Sequence, residues 1–326
     1  MRRMVTWAAI AVGLTLTLQT VAEAQWTWTP QTGRWINVKR LPKETPELQV
    51  EYARSLMVQG DYKQAIRETD KFEDYYGSTE FADDNQFLRG EIRMAQDQLL
   101  DAAKEFQQVV SKYPDSDLFD KVIEKQYAIG DQYYEKGTKG LEKTAWLHPF
   151  RKRPFKRAID VYGMVIDNQP FTDAAAQAQY KLGLCHYTLK EYTESAFEYQ
   201  RVVEDYATSE YVDDAMYGLA MCYYDSSLPP AYDQAPSLLA VQAVDNFKEK
   251  YPNDSRVAEL DEIKAKMLTA VAEQRLRTAK FYEKRRRFDS AAIYYEVVVE
   301  QFPGTPAASE AQQWLDSHGH SKRYSS

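Results

Sequence analysis

The sequence is poor in the residues on which motif-defined chemistry depends. It contains two cysteines and four histidines among 326 residues, and they form neither a His-x-x-x-His nor a Cys-x-x-Cys pair of the kind that ligates zinc. Neither a glycine-rich phosphate loop nor a nucleophile elbow occurs. These absences argue against the common enzyme classes, and we expect no catalytic residue, no cofactor and no metal.

Positive charge is also in deficit. Lysine and arginine number 41 against 49 acidic residues, a net charge of −8, which gives no electrostatic basis for binding nucleic acid. Glycine and proline are scarce, at 13 residues each, so the composition is neither disordered nor collagen-like. With 44% hydrophobic and 28% charged residues, the chain has the composition of a soluble helical protein.

Long apolar runs are confined to the N-terminus. Arginines at positions 2 and 3 precede an apolar run over residues 5–21, and Ala22 and Ala24 form a small-x-small cleavage site. This is the pattern of a secretory signal peptide over residues 1–24, cleaved before Gln25. A membrane anchor is the alternative, but the run is short and lacks a basic stop-transfer flank. We therefore expect export of the mature protein.

What the sequence does contain is a repeated helical hairpin, written most clearly over residues 180–206. Each half places apolar residues at the spacing of one helix face, namely Tyr180, Gly183, Leu184 and Tyr187, then Ala196, Tyr199, Val202 and Val203. A helix that is apolar on one side only cannot bury that side alone. The halves must therefore pack on each other and on neighbouring hairpins, as repeat proteins do.

Six segments end as this hairpin ends. The aligned ends are Tyr76, Tyr113, Gln169, Tyr206, Tyr251 and Phe302, and their spacings are 37, 56, 37, 45 and 51 residues. The shortest spacing lies near the tetratricopeptide period of about 34 residues. Eleven residues before each end stands a small residue, and seven and four residues before it mostly large ones. Small, large and large at i, i+4 and i+7 form one helix face onto which a partner helix packs closely.

The first helices of four repeats pair an aromatic residue with a small one three positions later. The pairs are Phe87 and Gly90, Tyr127 and Gly130, Tyr180 and Gly183, and Tyr217 and Ala220. The 24 tyrosines fit this scheme if each ring fills the space opposite a small residue and its hydroxyl reaches water at the rim. Stacking on a ligand is the alternative role.

These patterns predict an all-α, tetratricopeptide-like solenoid of about six to seven helical hairpins over residues 47–316. A helix without glycine or proline is predicted over residues 257–287, and residues 317–326 are expected to form a flexible tail. Residues 25–46 form a short Trp-rich segment and a linker. There Trp26, Trp28 and Trp35 flank a turn signal with period-two spacing, which predicts a two-stranded ribbon. The tryptophans either cap the first hairpin or dock a partner.

Residues 137–157 are the insertion behind the 56-residue spacing. The segment is basic and punctuated by proline, and it carries Trp146, Phe150 and Phe155. We expect it to form a surface loop outside the core. It either binds an acidic partner, lipid headgroups or anionic polymer, or folds its aromatic residues back onto the solenoid. The candidate binding residues are Trp146, Phe150, Arg151, Lys152, Arg153, Lys156 and Arg157.

Cys185 and Cys222 stand one repeat apart, 37 residues. Equivalent positions in stacked hairpins are about 10 Å apart, beyond the reach of a disulfide, so buried free thiols are expected. The pair His318 and His320 is expected to lie in the solvated tail and not to ligate a metal.

The repeat ends in Tyr-Pro or Phe-Pro, together with residues 281–303, resemble the outer-membrane assembly lipoproteins, the BamD or ComL-like family. In that family a long helix with an Ala-x-x-Tyr-like end leads into the last repeat, as Ala279, Tyr282 and the 257–287 helix do here, and a middle hairpin carries a long insertion. The resemblance covers roughly residues 47–316. The family carries a lipidated cysteine at the mature N-terminus, where this sequence has Ala24 and Gln25, so direct lipid anchoring is not expected.

The resemblance implies a non-enzymatic scaffold in the periplasm, or on the periplasmic face of the outer membrane, of a Gram-negative-type bacterium. Its partners would be envelope proteins, either a BamA-like barrel-insertion protein or outer-membrane clients, bound through a Tyr-lined groove. The alternative is a scaffold for cell-wall or polysaccharide machinery that contacts polymer or the membrane surface through the basic loop. A hidden enzyme would need a buried polar cluster for which the repeats leave no room.

Overall fold

The structure, a computed structural model, describes residues 26–29, 34–37, 41–143 and 153–319. Thirteen helices and one two-stranded ribbon occur in these residues. In chain order they are β1 (Trp26–Thr29), β2 (Arg34–Asn37), α1 (Pro46–Val58), α2 (Tyr62–Tyr76), α3 (Ala82–Ala95), α4 (Leu99–Lys112), α5 (Phe119–Lys143), α6 (Arg153–Asn168), α7 (Asp173–Leu189), α8 (Tyr192–Asp205), α9 (Val212–Asp225), α10 (Ala235–Lys250), α11 (Val257–Lys284), α12 (Phe288–Gln301) and α13 (Pro306–Ser317).

The helices pair in sequence into six hairpins, α1 with α2 through α11 with α12, and α13 packs against the last pair. Each helix packs mainly on the helices next to it in the chain, which is the arrangement of a solenoid. The predicted all-α tetratricopeptide-like solenoid is therefore confirmed in class and in number of hairpins.

The ends of the second helices fall where the sequence alignment places them. Helix α2 ends at Tyr76, and in each of the other five hairpins the second helix ends one residue before the aligned position. Several helix starts are capped by threonine, for example Thr172, whose hydroxyl accepts from the backbone N–H of Ala175 at 3.2 Å. Such a cap satisfies a backbone donor that the first turn leaves without a partner.

The small, large, large face of the second helices is the buried face. All six small residues are fully buried, and the large residues in the two following positions are at most 2% exposed. The small positions are Ala65, Ala102, Ala158, Ser195, Ala240 and Ala291. Their small size lets the first helix of the same hairpin approach closely, as the alignment predicted.

Aromatic rings of second helices lie directly against glycines of first helices. A Cβ atom added at Gly90 would lie 2.5 Å from Phe106 Cε1, and one added at Gly130 would lie 2.6 Å from Tyr162 Cε1. The ring of Tyr199 lies between two glycines of successive repeats, since added Cβ atoms at Gly183 and Gly218 would lie 2.5 and 2.6 Å from its edges. Glycine is required at these positions by space alone.

A buried glutamine links the two helices in three of the hairpins. Gln49 Nε2 donates to Glu68 Oε2 at 3.0 Å, and Gln86 Nε2 donates to Glu105 Oε2 at 2.7 Å. Gln179 makes the equivalent bond to Glu198. Each pair is separated by 19 residues, so the bond recurs at one register and gives the buried glutamine amide group an acceptor inside the hairpin.

The apolar core is divided along the chain and is not gathered into one centre. Successive clusters of buried side chains occupy residues 50–92, 87–206, 196–222, 212–267 and 271–315. Each cluster joins helices that are close in sequence, as expected when hairpins bury their faces against neighbours only.

Two first helices are longer than the rest. Helix α11 has 28 residues and matches the prediction over residues 257–287 to within three residues at its end. Helix α5 has 25 residues and reaches Lys143, which the sequence analysis did not foresee. No helix within the described residues is both long enough and apolar enough to cross a bilayer.

The predicted surface insertion over residues 137–157 is wrong in its boundaries. Its first part belongs to α5 and residues 153–157 belong to α6. Phe155 is 1% exposed, and an added Cβ atom at Gly137 would lie 2.7 Å from the Phe155 ring. Phe155 is thus a core residue because its ring fills the space opposite a glycine, as in the other hairpins. Residues 144–152 lie outside the described residues.

Candidate partner-binding site

The first helices of successive repeats form a groove lined by tyrosine. Between α7 and α9 it encloses about 280 Å³ and is lined by Tyr180, Leu184, Tyr187, Tyr199, Asp214, Tyr217, Gly218 and Met221. We call this cavity the tyrosine groove. It exists because the aromatic and apolar positions of α7 and α9 recur one repeat apart, so two half-exposed stripes face each other across the buried ring of Tyr199. The Tyr-lined groove expected from the sequence is thus present.

The tyrosine hydroxyls at the rim of this face donate to carboxylates, whereas the sequence analysis expected them to reach water. The Tyr217 hydroxyl donates to Glu259 at 3.1 Å, and the Tyr187 hydroxyl donates to Asp225. One hairpin earlier, the Tyr162 hydroxyl donates to Asp131 at 2.6 Å. Burial and these carboxylates raise the pKa of Tyr162 and Tyr187, so both rings stay neutral at physiological pH.

A stack of aromatic rings forms one wall of the groove. The rings of Tyr180 and Tyr211 stack at a centroid distance of 5.5 Å, and Tyr180 also contacts Tyr199 at 5.7 Å. Burial, with a contribution from Asp214, raises the pKa of Tyr180 to about 12. Rings fixed by such contacts present apolar faces to a ligand at small entropic cost, because tyrosine has few rotatable bonds.

Charged side chains border the groove at both ends. Toward α5, Lys181 Nζ lies 3.4 Å from Asp131 Oδ1 and 5.2 Å from the centre of the Tyr134 ring. Toward α11, the guanidinium of Arg256 lies 5.3 Å from the centre of the Tyr217 ring. The lining therefore combines aromatic faces with hydrogen-bonding groups, which is the usual composition of a peptide-binding groove.

Arg256 joins α9 to the start of α11. It pairs with Asp213 at 2.7 Å and Asp214 at 2.6 Å on α9, and with Asp254 at 2.8 Å in the preceding turn. The hydrogen bonds from Arg256 lower the pKa of Asp254 to about 2. This cluster holds the first turn of the long helix α11 against α9, beside the groove residue Tyr217.

A second, larger cavity lies on the opposite helices. It encloses about 580 Å³ between α8 and α10 and includes Phe197 and Leu239, which are 61% and 42% exposed. We call it the outer cleft. It is lined by no charged side chain, being built from Tyr192, Thr193, Ala196, Phe197, Gln200, Tyr223, Ser226, Pro236 and Leu239. The groove is the better candidate site because it offers fixed hydrogen-bonding groups beside its apolar faces.

None of the predicted binding residues whose side chains are described lines the groove. The tryptophan ribbon is present, with Trp28 paired to Trp35 across the strands, and the two side chains are 49% and 66% exposed. The side chain of Trp26 lies outside the description, as do Trp146, Phe150, Arg151, Lys152 and the signal peptide over residues 1–24. Docking through the ribbon or the basic segment stays a prediction.

The basic residues of the predicted insertion that are described lie on the first turns of α6. Arg153 and Lys156 are exposed, and the guanidinium of Arg157 lies 5.5 Å from the centre of the Tyr133 ring. Arg157 is therefore engaged with α5, whereas the other two point to solvent.

Both cysteines are buried free thiols, as predicted. Burial raises the pKa of Cys185 to about 12 and that of Cys222 to about 11. Cys222 Sγ donates to the Ser195 hydroxyl at 3.1 Å. His318, expected in a solvated tail, stacks on Trp314 at a centroid distance of 4.1 Å. Within the described ranges no cluster of histidine, cysteine or acidic side chains has the geometry of a metal site.

The charged residues that border the groove were not predicted from the sequence. Asp131, Lys181 and Arg256 belong to no motif in the sequence. A signal for the first two was present: Asp131 follows Gly130, and Lys181 follows Tyr180, so each stands next to a residue that the repeat pattern had already placed at a helix contact.

Six stacked hairpins, three of which pack an aromatic ring of the second helix on a glycine of the first, define a protein of the tetratricopeptide-repeat class. A tetratricopeptide-repeat profile matches residues 84–116. The profile of a second family, YfiO, described as outer membrane lipoprotein, matches residues 130–318. The chain belongs to this family. Both families consist of non-enzymatic protein-interaction scaffolds, and the suspected BamD-like resemblance is thereby confirmed.

Individual relatives are distant. The chain is 22% identical over 179 residues to an outer membrane protein assembly factor BamD from Caulobacter vibrioides, and the match covers 55% of each chain. It thus spans about half the length of that relative. Among solved structures it is similar to a tetratricopeptide repeat protein from Parabacteroides merdae, with 14% identity, 83% and 97% coverage of this and that chain, and a TM-score of 0.32. A TPR protein from Thermus thermophilus has 12% identity, 69% and 99% coverage, and a TM-score of 0.32.

Proposed function

We propose that this protein is a periplasmic scaffold in outer-membrane protein assembly, which holds an extended segment of another envelope protein in the tyrosine groove. The partner is a BamA-like barrel-insertion protein or an outer-membrane client. The observation that carries the proposal is the groove itself, with tyrosine rings and bordering ion pairs on first helices of neighbouring repeats. Family membership and the relative from Caulobacter vibrioides support the setting.

The chemistry of the groove suits an extended peptide better than a small metabolite. Apolar ring faces of Tyr180 and Tyr217 can take side chains, while the carboxylate of Asp214 on the groove wall can accept a hydrogen bond from a peptide N–H. The face continues past α7 and α9 to Asp131 on α5 and to Glu259 on α11. A chain lying across several first helices would contact all of these in turn.

The test is co-purification from envelope extracts with groove variants. Leu184→Glu and Met221→Glu place charge on two half-exposed positions of the groove, so we expect both to lose one and the same envelope protein that the wild type retains. Phe197→Glu in the outer cleft is the matched control, since it places the same charge on an exposed apolar position. If the wild type and all three variants recovered that envelope protein equally, the groove would not be its binding site.

The alternative function, a scaffold for cell-wall or polysaccharide machinery acting through the basic segment, is separated by one further variant. Replacing residues 144–152 by a glycine-serine linker of the same length removes four of the seven candidate binding residues of the insertion and spares the core residue Phe155. Under the groove proposal this variant retains its envelope partner. Loss of glycan-synthesising or wall-hydrolysing enzymes with this variant alone, while the groove variants behave as wild type, would support the alternative.

A further inference from the structure

The last hairpin carries dense positive charge in an acidic protein. Residues 277–288 contain six basic residues and one acidic residue, in a chain whose net charge is −8. All six basic side chains are exposed. We call this surface the basic edge; it consists of Arg277, Lys280, Phe281, Lys284, Arg285, Arg286, Arg287 and Phe288.

The basic edge is one continuous surface. Positions 277, 280, 281 and 284 follow the spacing i, i+3, i+4 and i+7, which places them on one face of α11. Arginines 285–287 continue the charge through the turn to Phe288, the first residue of α12.

Few acidic groups compensate this charge. Glu283 accepts the hydroxyl of Tyr295 at 2.6 Å, and Lys280 pairs with Glu310 at 2.5 Å. Among the described residues, no carboxylate lies within ion-pair distance of the other five basic side chains. Charges held together without counter-charges create a positive potential that attracts an anionic surface.

Aromatic rings lie among the basic side chains. Phe281 and Phe288 are 47% and 45% exposed. The guanidinium of Arg285 lies 4.0 Å from the centre of the Phe281 ring, and Phe288 stacks on His318 at 6.0 Å. Basic side chains around half-exposed rings are the composition of surfaces that bind the membrane interface, where the rings sit at headgroup depth and the cations reach phosphates.

We propose that the basic edge binds anionic phospholipid headgroups and so docks the C-terminal hairpin on a membrane surface. A plane of many headgroups can contact the five unpaired cations and both half-exposed rings together, whereas an acidic protein would have to supply a carboxylate matched to each cation. The inference does not depend on the tyrosine groove.

The test is co-sedimentation of the full mature protein with phosphatidylcholine vesicles, with and without phosphatidylglycerol. We expect binding to the anionic vesicles at low salt, none to the neutral ones, and release at high salt because the interaction is screened. The variant Arg277→Gln/Lys284→Gln/Arg286→Gln/Arg287→Gln should partition at least about 100-fold less, since each basic side chain contributes roughly fivefold. Its melting temperature should equal that of the wild type, because the four side chains are exposed.

The matched control removes the same number of charges elsewhere. Lys63→Gln/Lys104→Gln/Lys112→Gln/Lys121→Gln, which changes four exposed lysines on α2, α4 and α5, should bind anionic vesicles as the wild type does. The inference would be overturned if the wild type did not bind anionic vesicles at low salt. It would also be overturned if both variants lost vesicle binding equally, because binding would then depend on the net charge of the protein and not on the basic edge. If vesicle binding is unaffected by the first variant while a protein is lost from its pull-down, the edge binds an acidic protein and not lipid.

Discussion

At the scale of single residues, the fold depends on contacts between one aromatic ring and one glycine. The Tyr199 ring is held between Gly183 and Gly218 of successive repeats, so it joins its own hairpin to the next. The same contact occurs between Phe155 and Gly137. A glycine in a helix is ordinarily unfavourable by about 1 kcal/mol relative to alanine, and here that cost is offset by a closer helix approach.

Adding one methyl group at such a contact should therefore destabilise the protein. Gly183→Ala puts its Cβ 2.5 Å from a ring that has backbone on its other side, and we expect a loss of about 2 kcal/mol in the free energy of unfolding. Gly163→Ala is the control, because nothing lies within 4 Å of its added Cβ, and it should stabilise by about 0.5–1 kcal/mol. Urea denaturation measures both; a neutral Gly183→Ala would contradict the packing described.

Buried thiols and phenols make stability depend on alkaline pH. Burial raises the pKa of Cys185 from 9.0 to about 12 and that of Cys222 to about 11, and it also raises the pKa of Tyr199. The folded state thus holds protons that the unfolded state releases above about pH 9. Stability from these groups is complete below pH 9 and declines as the pH rises from there toward 12.

We expect a flat unfolding free energy between pH 7 and about 9, and a steady fall above that range. Neither thiol should react with Ellman's reagent in the folded protein at pH 8, and both should react in guanidinium. Rapid reaction of the native protein would show that a thiol is accessible, contrary to the buried positions found.

At the scale of elements, the register within hairpins was predictable and the length of some helices was not. The six aligned helix ends and the small, large, large faces follow from local patterns that each repeat carries by itself. Helix α5 was underestimated because its extension depends on a long-range partner: Gly137 is helical where Phe155 packs on it. Tyr134 stands three residues before Gly137, the same aromatic and small pairing used for the other repeats, so the signal was present.

Polar contacts between different repeats cannot be predicted from the sequence pattern within one repeat. The Arg256 cluster joins three acidic groups from two segments more than 40 residues apart along the chain, and nothing in the residues near Arg256 identifies Asp213 and Asp214 as its partners. The same holds for Asp131, which accepts from Tyr162 of the next helix and pairs with Lys181 of the following repeat.

The Arg256 cluster should hold the start of α11 against α9. Arg256→Gln leaves Asp213, Asp214 and Asp254 facing one another, and we expect a loss of about 1–2 kcal/mol, reduced by the partial exposure of the acidic groups. The pKa of Asp254 should rise from about 2 toward its ordinary value of 3.8, which NMR titration of the carboxyl reports.

Arg201→Gln serves as the comparison, since it removes an exposed pair with Asp205 within one helix. Its effect should stay within about 0.5 kcal/mol. An Arg256→Gln protein as stable as this control, with the Asp254 titration unchanged, would mean that the cluster does not clamp the two helices.

At the scale of the whole molecule, the two candidate binding surfaces lie in different repeats of the solenoid. The tyrosine groove lies on the first helices of the middle repeats, and the basic edge lies at the end of the last hairpin. Because a solenoid buries its core between neighbours only, such surfaces can differ in chemistry without a shared centre. The sequence repeats were enough to predict the class of fold. The position of the groove could not be predicted from them, because it depends on how the hairpins stack.

The central claim is that the face formed by the first helices holds a partner. Site-specific photo-crosslinking tests it most directly, with a photoreactive residue at Leu184 or Met221 in the groove and at the exposed Ile293 on the last hairpin as control. The account predicts that both groove positions crosslink to one short segment of the same envelope protein and that position 293 does not. Adducts at position 293 with none at either groove position would contradict it.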